Sequence, residues 1–156
     1  MTKILKEGGK APAFSLPTDD GSILSLKGCA GKALVLYFYP KDDTPGCTRE
    51  AVDFSGLAQA FCKAGAVVVG VSKDSLRKHE KFKEKHALKV SLGSDESGRI
   101  IEAYGAWVEK TLYGRTYMGV DRSTFLIDGK GVIRGIWRGV KVAGHVEEVL
   151  AAAQSL

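Results

Sequence analysis

Ala33-Leu34-Val35-Leu36-Tyr37-Phe38-Tyr39-Pro40-Lys41-Asp42-Asp43-Thr44-Pro45-Gly46-Cys47 reads as a buried strand that hands over to a helix. The first seven residues form an unbroken apolar run of strand length, β-branched and aromatic enough for a central strand covered on both faces. Pro40 ends the run, because proline has no N–H to donate to a ladder. Thr44 suits a helix N-cap, and Pro45 suits the first helical position, where a missing N–H costs nothing. Ala51, Phe54, Leu57, Ala58 and Phe61 then make an apolar stripe at helical spacing, and Gly65 closes it. The spacing predicts one helix from about Thr44 to Gly65.

Working outward, Val67-Val68-Val69-Gly70-Val71 is a second buried strand, so strand, helix and strand imply a right-handed parallel crossover. Upstream, Ala13–Leu16 and Ile23–Leu26 form an N-terminal β-hairpin around a turn containing Asp19, Asp20, Gly21 and Ser22. Downstream come an amphipathic helix over Asp74 to Ala87 and a shorter one over Gly98 to Tyr104. Ser123–Ile127 and Val132–Trp137 flank the turn Asp128-Gly129-Lys130-Gly131, a strong hairpin signal. A helix near His145 to Ala153 ends the chain. The expected class is α/β, a mixed central sheet flanked by helices, in one domain spanning 1–156 with no linker or repeat.

Hydrophobic residues make up 44% and charged residues 26%, the balance of a globular chain able to bury a core without staples. The net charge of +5 raises a nucleic-acid reading. The basic residues are dispersed, however, and the densest run, Arg77 to His86, mixes both signs at helical spacing, as a solvated helix face does. No apolar run approaches the ~18 residues of a membrane span. Met1 to Lys10 lacks the apolar stretch of a secretory signal, so the cytoplasm is the expected address. His79, His86 and His145 form no ligand cluster and read as surface or packing residues. Gly129 and Gly131 are turn residues without the context of a phosphate loop.

Three cysteines, Cys29, Cys47 and Cys62, are too few and too widely spaced for a disulfide framework or a zinc site, and no CxxC pair is present. Cys29 and Cys62 read as small buried hydrophobes. Cys47 differs, because it falls at the third helical position. Free backbone N–H groups and the positive end of the helix dipole favour a thiolate there. It also follows the C-terminal end of a buried strand, where open α/β sheets place ligands.

Pro40, Thr44 and Cys47 resemble the Pro-x-x-x-Thr-x-x-Cys motif of the peroxiredoxins, and Tyr37 to Thr48 as a whole is similar to the peroxiredoxin Q branch, also called bacterioferritin comigratory protein. The likeness continues in Lys110 to Gly119 and Arg122 to Asp128, and so covers nearly the whole chain. The resemblance implies a thioredoxin-like fold and an antioxidant thiol peroxidase that needs no metal, haem or flavin. Cys47 would be the peroxidatic cysteine that becomes a sulfenic acid. Thr44 would set its hydroxyl against the peroxide and the sulfur, and Pro40 would shield the sulfur from water. Arg122, on the strand after a Tyr-Met-Gly loop, would bring a guanidinium beside the thiolate, with Glu50 orienting an arginine.

Ionisation alone does not make a peroxidase. Lowering a thiol's pKa from ~8.5 to ~6 raises the thiolate fraction at neutral pH by ~30-fold at most, roughly 2 kcal/mol of barrier. Falling nucleophilicity trims even that. The remainder has to come from holding the peroxide in line and stabilising the departing oxygen. Thr44, the helix-start amides and Arg122 are the donors available.

The chain departs from the branch at the resolving cysteine. Five residues beyond Cys47, where many members carry it, stands Val52, and the helix from Asp74 to Ala87 has no cysteine. On one continuous helix Cys62 would lie ~22 Å from Cys47 at 1.5 Å per residue. The preferred expectation is a one-cysteine mechanism with an external reductant: thioredoxin, glutaredoxin or a small thiol such as glutathione. A disulfide through Cys29 or Cys62, within or between subunits, is the alternative, and monomer and dimer both stay open. Two other functions fit the same scaffold, a thiol–disulfide relay and a chaperone-like binder.

Overall fold

The computed structural model describes residues 4–156, so the first three positions of the Met1 to Lys10 stretch lie outside the described residues. Nine strands are described: β1 (Ser15–Pro17), β2 (Ile23–Ser25), β3 (Ala33–Phe38), β4 (Ala66–Ser72), β5 (Ser91–Ser94), β6 (Trp107–Leu112), β7 (Arg115–Val120), β8 (Ser123–Ile127) and β9 (Ile133–Trp137). Five α-helices accompany them: α1 (Pro45–Gly56), α2 (Ala58–Lys63), α3 (Leu76–His86), α4 (Arg99–Ala103) and α5 (His145–Gln154).

The central sheet has the order β5-β4-β3-β8-β9. β3 pairs parallel with β4 and antiparallel with β8, which makes the sheet mixed and puts the quoted apolar run at its centre. Leu34 through Phe38 are fully buried. Their side chains alternate between two cores, as a period of two requires. Leu34, Leu36 and Phe38 pack with Val69, Val71, Ile101, Tyr104 and Phe125 on one face. Val35, Tyr37 and Tyr39 pack with Cys47, Phe54, Phe61, Phe82, Val146 and Val149 on the other. Helices α1, α2, α3 and α5 cover the second face, while α4 and the N-terminal segment cover the first. This is the expected mixed sheet with helices on both faces, preceded by the expected hairpin, β1 paired antiparallel with β2.

Two local expectations are corrected and a third is sharpened. The helix read as continuous from Thr44 to Gly65 is two helices, interrupted at Leu57, whose φ and ψ are −109° and 15°. Gly56 ends α1, and glycine is a weak helix former; the break brings the Phe54 and Phe61 rings to 5.7 Å between centroids. Second, β5 and the hairpin β6–β7 were not expected, and the Tyr117-Met118-Gly119 segment taken for a loop is strand. The hairpin turns through Tyr113 and Gly114, both left-handed at φ 50° and 75°, as a two-residue turn between right-twisted strands requires. Third, of the histidines read as surface or packing residues, His79 and His145 are packed in the interior, and each also makes polar contacts there. His79 is fully buried in a polar network, and His145 Nε2 lies 2.8 Å from the Thr124 hydroxyl.

Candidate active site

The end of β3, the loop 39–44 and the first turn of α1 build the site. Thr44 is the N-cap in backbone terms, with extended φ and ψ of −92° and 156°. Its carbonyl accepts the first helical bond, from the Thr48 amide at 2.8 Å. Its hydroxyl makes no capping bond and donates instead to the Lys41 carbonyl at 2.8 Å. The cap is therefore in place, but the side chain has been turned to another task. Cys47 stands third in α1, with the amides of the first turn beside it. Its residue surface is only 2% exposed.

Arg122 comes from the far end of the chain and arrives by strand pairing. Ser123, the first residue of β8, pairs with Phe38, the last of β3, so the residue just before β8 lands where β3 gives way to the loop. There Arg122 Nη2 donates to Cys47 Sγ at 3.3 Å, and Nη1 donates to Glu50 Oε1 at 2.8 Å. Gly46 leaves the space for it, since a Cβ at that position would lie 3.1 Å from Nη2. One guanidinium thus bridges a sulfur and a carboxylate on the same helix, three residues apart.

The electrostatics are those of a buried cluster. Glu50 is fully buried, and burial pushes its carboxyl up to about 7 even though Arg122 pulls the other way. Its second oxygen, Oε2, meets no hydrogen-bond partner among the described residues. Burial works against the Arg122 charge, but Glu50 and then Cys47 outweigh it and hold the guanidinium above its usual range. Tyr37, beneath the cluster, is held well above the usual phenol range by burial first and by the Glu50 and Cys47 charges next.

Of the residues singled out in the sequence, Cys47, Arg122 and Glu50 are brought into direct contact. Thr44 sits at the same helix start with its hydroxyl on Lys41, and Pro40 is exposed on the loop. All three cysteines are free. Cys29 is buried as expected, whereas Cys62 is exposed, which corrects its reading as a buried hydrophobe. Both lie at the N-terminal end of β3: Cys29 O accepts from Lys32 N, next to the strand's start, and Gly65, three residues after Cys62 and bonded to its carbonyl, accepts from Ala33 N. Cys47 lies beyond the other end, and six residues of strand span ~20 Å. A disulfide needs Cα atoms within ~7 Å. Val52, at the position of the branch's resolving cysteine, is 44% exposed.

The residues that sequence reasoning missed are Asp42 and His79, joined at 2.6 Å between Oδ2 and Nδ1. They stand 37 positions apart, and no local pattern links them. Among the described residues no cluster of His, Cys, Asp and Glu is arranged to hold a metal ion, and no helix is long and apolar enough to cross a membrane.

Known proteins resemble this chain in sequence and in fold. The AhpC/TSA family model matches residues 8–136. A putative peroxiredoxin Bcp of Coxiella burnetii is 51% identical over 146 residues, covering 94% of this chain and 97% of that protein. The bacterioferritin comigratory protein of Xanthomonas campestris, whose structures were determined for its alkyl peroxide reduction, superposes with a TM-score of 0.87 at 43% identity, over 91% of this chain and 90% of that one. A PrxQ variant from Xylella fastidiosa superposes with a TM-score of 0.92 at 36% identity, over 98% of both chains. With its buried helix-start cysteine under an arginine and its thioredoxin-like sheet, the chain belongs to the AhpC/TSA family, among the Bcp-type peroxiredoxins.

Proposed function

We propose that the chain is a thiol peroxidase in which the Cys47 thiolate reduces hydrogen peroxide and organic hydroperoxides. The observation that carries this reading is the 3.3 Å contact from Arg122 to the Cys47 sulfur at a helix start. A guanidinium donor offsets negative charge on the sulfur and on an oxygen bound beside it. The sulfur attacks one peroxide oxygen, the S–O bond forms as the O–O bond breaks, and the departing alkoxide or hydroxide takes up, through solvent, the proton that the thiol gave up on ionising. Cys47 is left as a sulfenic acid, oxidised by two electrons, and the peroxide leaves as alcohol or water.

Thr44 supports that geometry. Its hydroxyl proton is committed to the Lys41 carbonyl, so its oxygen lone pairs are left to accept from the O–H of a bound hydroperoxide. Glu50 holds Nη1 of the guanidinium, which keeps Nη2 on Cys47. Pro40, exposed on the loop that follows β3, is given the role of shielding the sulfur from water by family likeness alone. Together these groups supply the positioning that ionisation by itself does not.

Regeneration uses a one-cysteine route. Two external thiols return Cys47 to the thiol, forming one disulfide between themselves and releasing water. The placement of Cys29 and Cys62 at the opposite end of β3 supports this, and it also removes the nearby second thiol that a disulfide relay needs. Thioredoxin, glutaredoxin or a small thiol fits as donor, in a reducing compartment such as the cytoplasm, from a single domain acting as monomer or weak dimer. The test is peroxide consumption with a thiol donor by wild type and Cys47→Ser. Loss of activity in the variant is expected, and full activity would remove the proposal.

A further inference from the structure

The loop that carries Pro40 and Thr44 is held by a second buried polar cluster, centred on His79. His79 projects from α3 and is fully buried, and the Asp42 side chain is 5% exposed. His79 Nε2 donates to the Gly93 carbonyl on β5 at 2.9 Å, which fixes a proton on that nitrogen, since a carbonyl only accepts. The opposite ring nitrogen, Nδ1, lies 2.6 Å from Asp42 Oδ2, within hydrogen-bonding distance. Asp42 Oδ1 accepts from the Tyr39 hydroxyl at 2.5 Å, and the Asp42 amide donates to Asp74 Oδ2 at 2.8 Å. Asp74 accepts in turn from the Ser72 hydroxyl at 2.7 Å. The peroxide chemistry set out above uses none of these groups.

We propose that His79 is a positioning residue for the peroxidase reaction, clamping Asp42 so that the loop presents Thr44 and Cys47 correctly; this rests on the reading of Cys47 as the reacting sulfur. The mechanical link is short. Asp42 directly follows Lys41, whose carbonyl receives the Thr44 hydroxyl, so the clamp on Asp42 sets the direction of the Thr44 lone pairs. Cys47 follows five residues after Asp42, inside the first turn of α1. Between them Asp43 takes a left-handed φ of 61°, unusual for a residue with a side chain. Such a conformation persists only where its surroundings over-determine it. Lys85 at 2.7 Å and His86 at 2.9 Å grip the Asp43 carboxylate, so α3 holds the loop at two successive residues.

The test is the rate at which reduced full-length protein reacts with hydrogen peroxide in a single turnover, for His79→Phe, Asp42→Ala, their double variant and Asp42→Asn, each shown to be folded by circular dichroism. Misplacing reacting groups by about 1 Å costs up to ~100-fold, so His79→Phe and Asp42→Ala should each slow the reaction by about tenfold or more. The double variant should be no slower than the slower single one, because both remove the same clamp. Asp42→Asn, which keeps an acceptor for Tyr39 and places a donor toward His79, should stay within about threefold of wild type. A folded His79→Phe reacting at the wild-type rate would overturn the proposal, as would Asp42→Asn slowed as much as Asp42→Ala. If His79→Phe does not fold, the two Asp42 variants decide between the same outcomes. Undiminished activity in Cys47→Ser would instead overturn the reading of the reacting sulfur, which separates the two failures.

Discussion

Arg122 donates to the Cys47 sulfur across 3.3 Å of space and 75 residues of sequence. Strand pairing makes the contact possible, because β8 begins opposite the end of β3 and the residue before it is delivered to the helix start. The same guanidinium is held by Glu50, so the arginine cannot turn away without breaking a buried ion pair.

Arg122→Lys tests the fork. Lysine keeps the charge but cannot donate to sulfur and carboxylate in one plane. Removing one preorganised donor of this kind costs ~100-fold or more in rate. Stopped-flow reaction of the reduced variant with hydrogen peroxide should show a loss of that order with the fold intact. A rate within twofold of wild type would mean that charge alone suffices.

Glu50→Gln tests the buried carboxyl. Its pKa is about 7 in the fold against an ordinary 4.5, so the folded state binds more protons between those values. Stability from this group is complete below the ordinary value and is lost as pH rises through about 7. The shift corresponds to about 3 kcal/mol, to order of magnitude. His145 works in the opposite sense. Burial lowers its pKa, so its contribution is present above the ordinary histidine value and is lost as pH falls through the lowered one. Denaturant unfolding of wild type and Glu50→Gln at a series of pH values separates them. Wild type should lose stability relative to the variant as pH rises from 5 to 7.5, and parallel curves would contradict the assigned burial cost.

Cys29→Ser and Cys62→Ser test the one-cysteine route. Both thiols lie beyond the far end of β3 from Cys47, so each variant, and the double variant, should turn over with a thiol donor within about twofold of wild type, as expected of substitutions away from reacting groups. A collapse of multiple turnover with the first turnover preserved would identify the removed residue as a resolving thiol.

Selectivity between thiol reagents tests the burial of the site. Cys62 is exposed and Cys47 is 2% exposed. A bulky aromatic disulfide reagent should therefore modify Cys62 first, while hydrogen peroxide should oxidise Cys47 first, and unfolding should erase the difference. Peptide mapping after substoichiometric treatment reads both. Equal labelling of the two cysteines in the native protein would show that Cys47 is open to solvent.

The run from Ala33 to Tyr39 disclosed the sheet's centre because burial on both faces leaves an unbroken apolar signature. Cys47 and the Thr44 cap were readable for a similar reason, since helix starts are written in adjacent residues. The hairpin β6–β7 escaped notice although Tyr113-Gly114 is a turn signal, because its strands are half exposed and lack a clean apolar alternation. The break at Leu57 was hidden by an apolar stripe that continues across it. Arg122 was found only through family resemblance, and Asp42 with His79 not at all. Contacts across dozens of residues leave no local pattern, and a buried histidine on a lysine-rich helix looks like one more polar residue.

The most direct measurement is the intact mass and peptide map of fully reduced protein after one equivalent of hydrogen peroxide, with the peroxide consumed followed in parallel. One oxygen retained on Cys47, with peroxide lost in equal amount, is the expected result. Peroxide consumed while Cys47 stays reduced, or the oxygen found on Cys29 or Cys62 instead, would contradict the account.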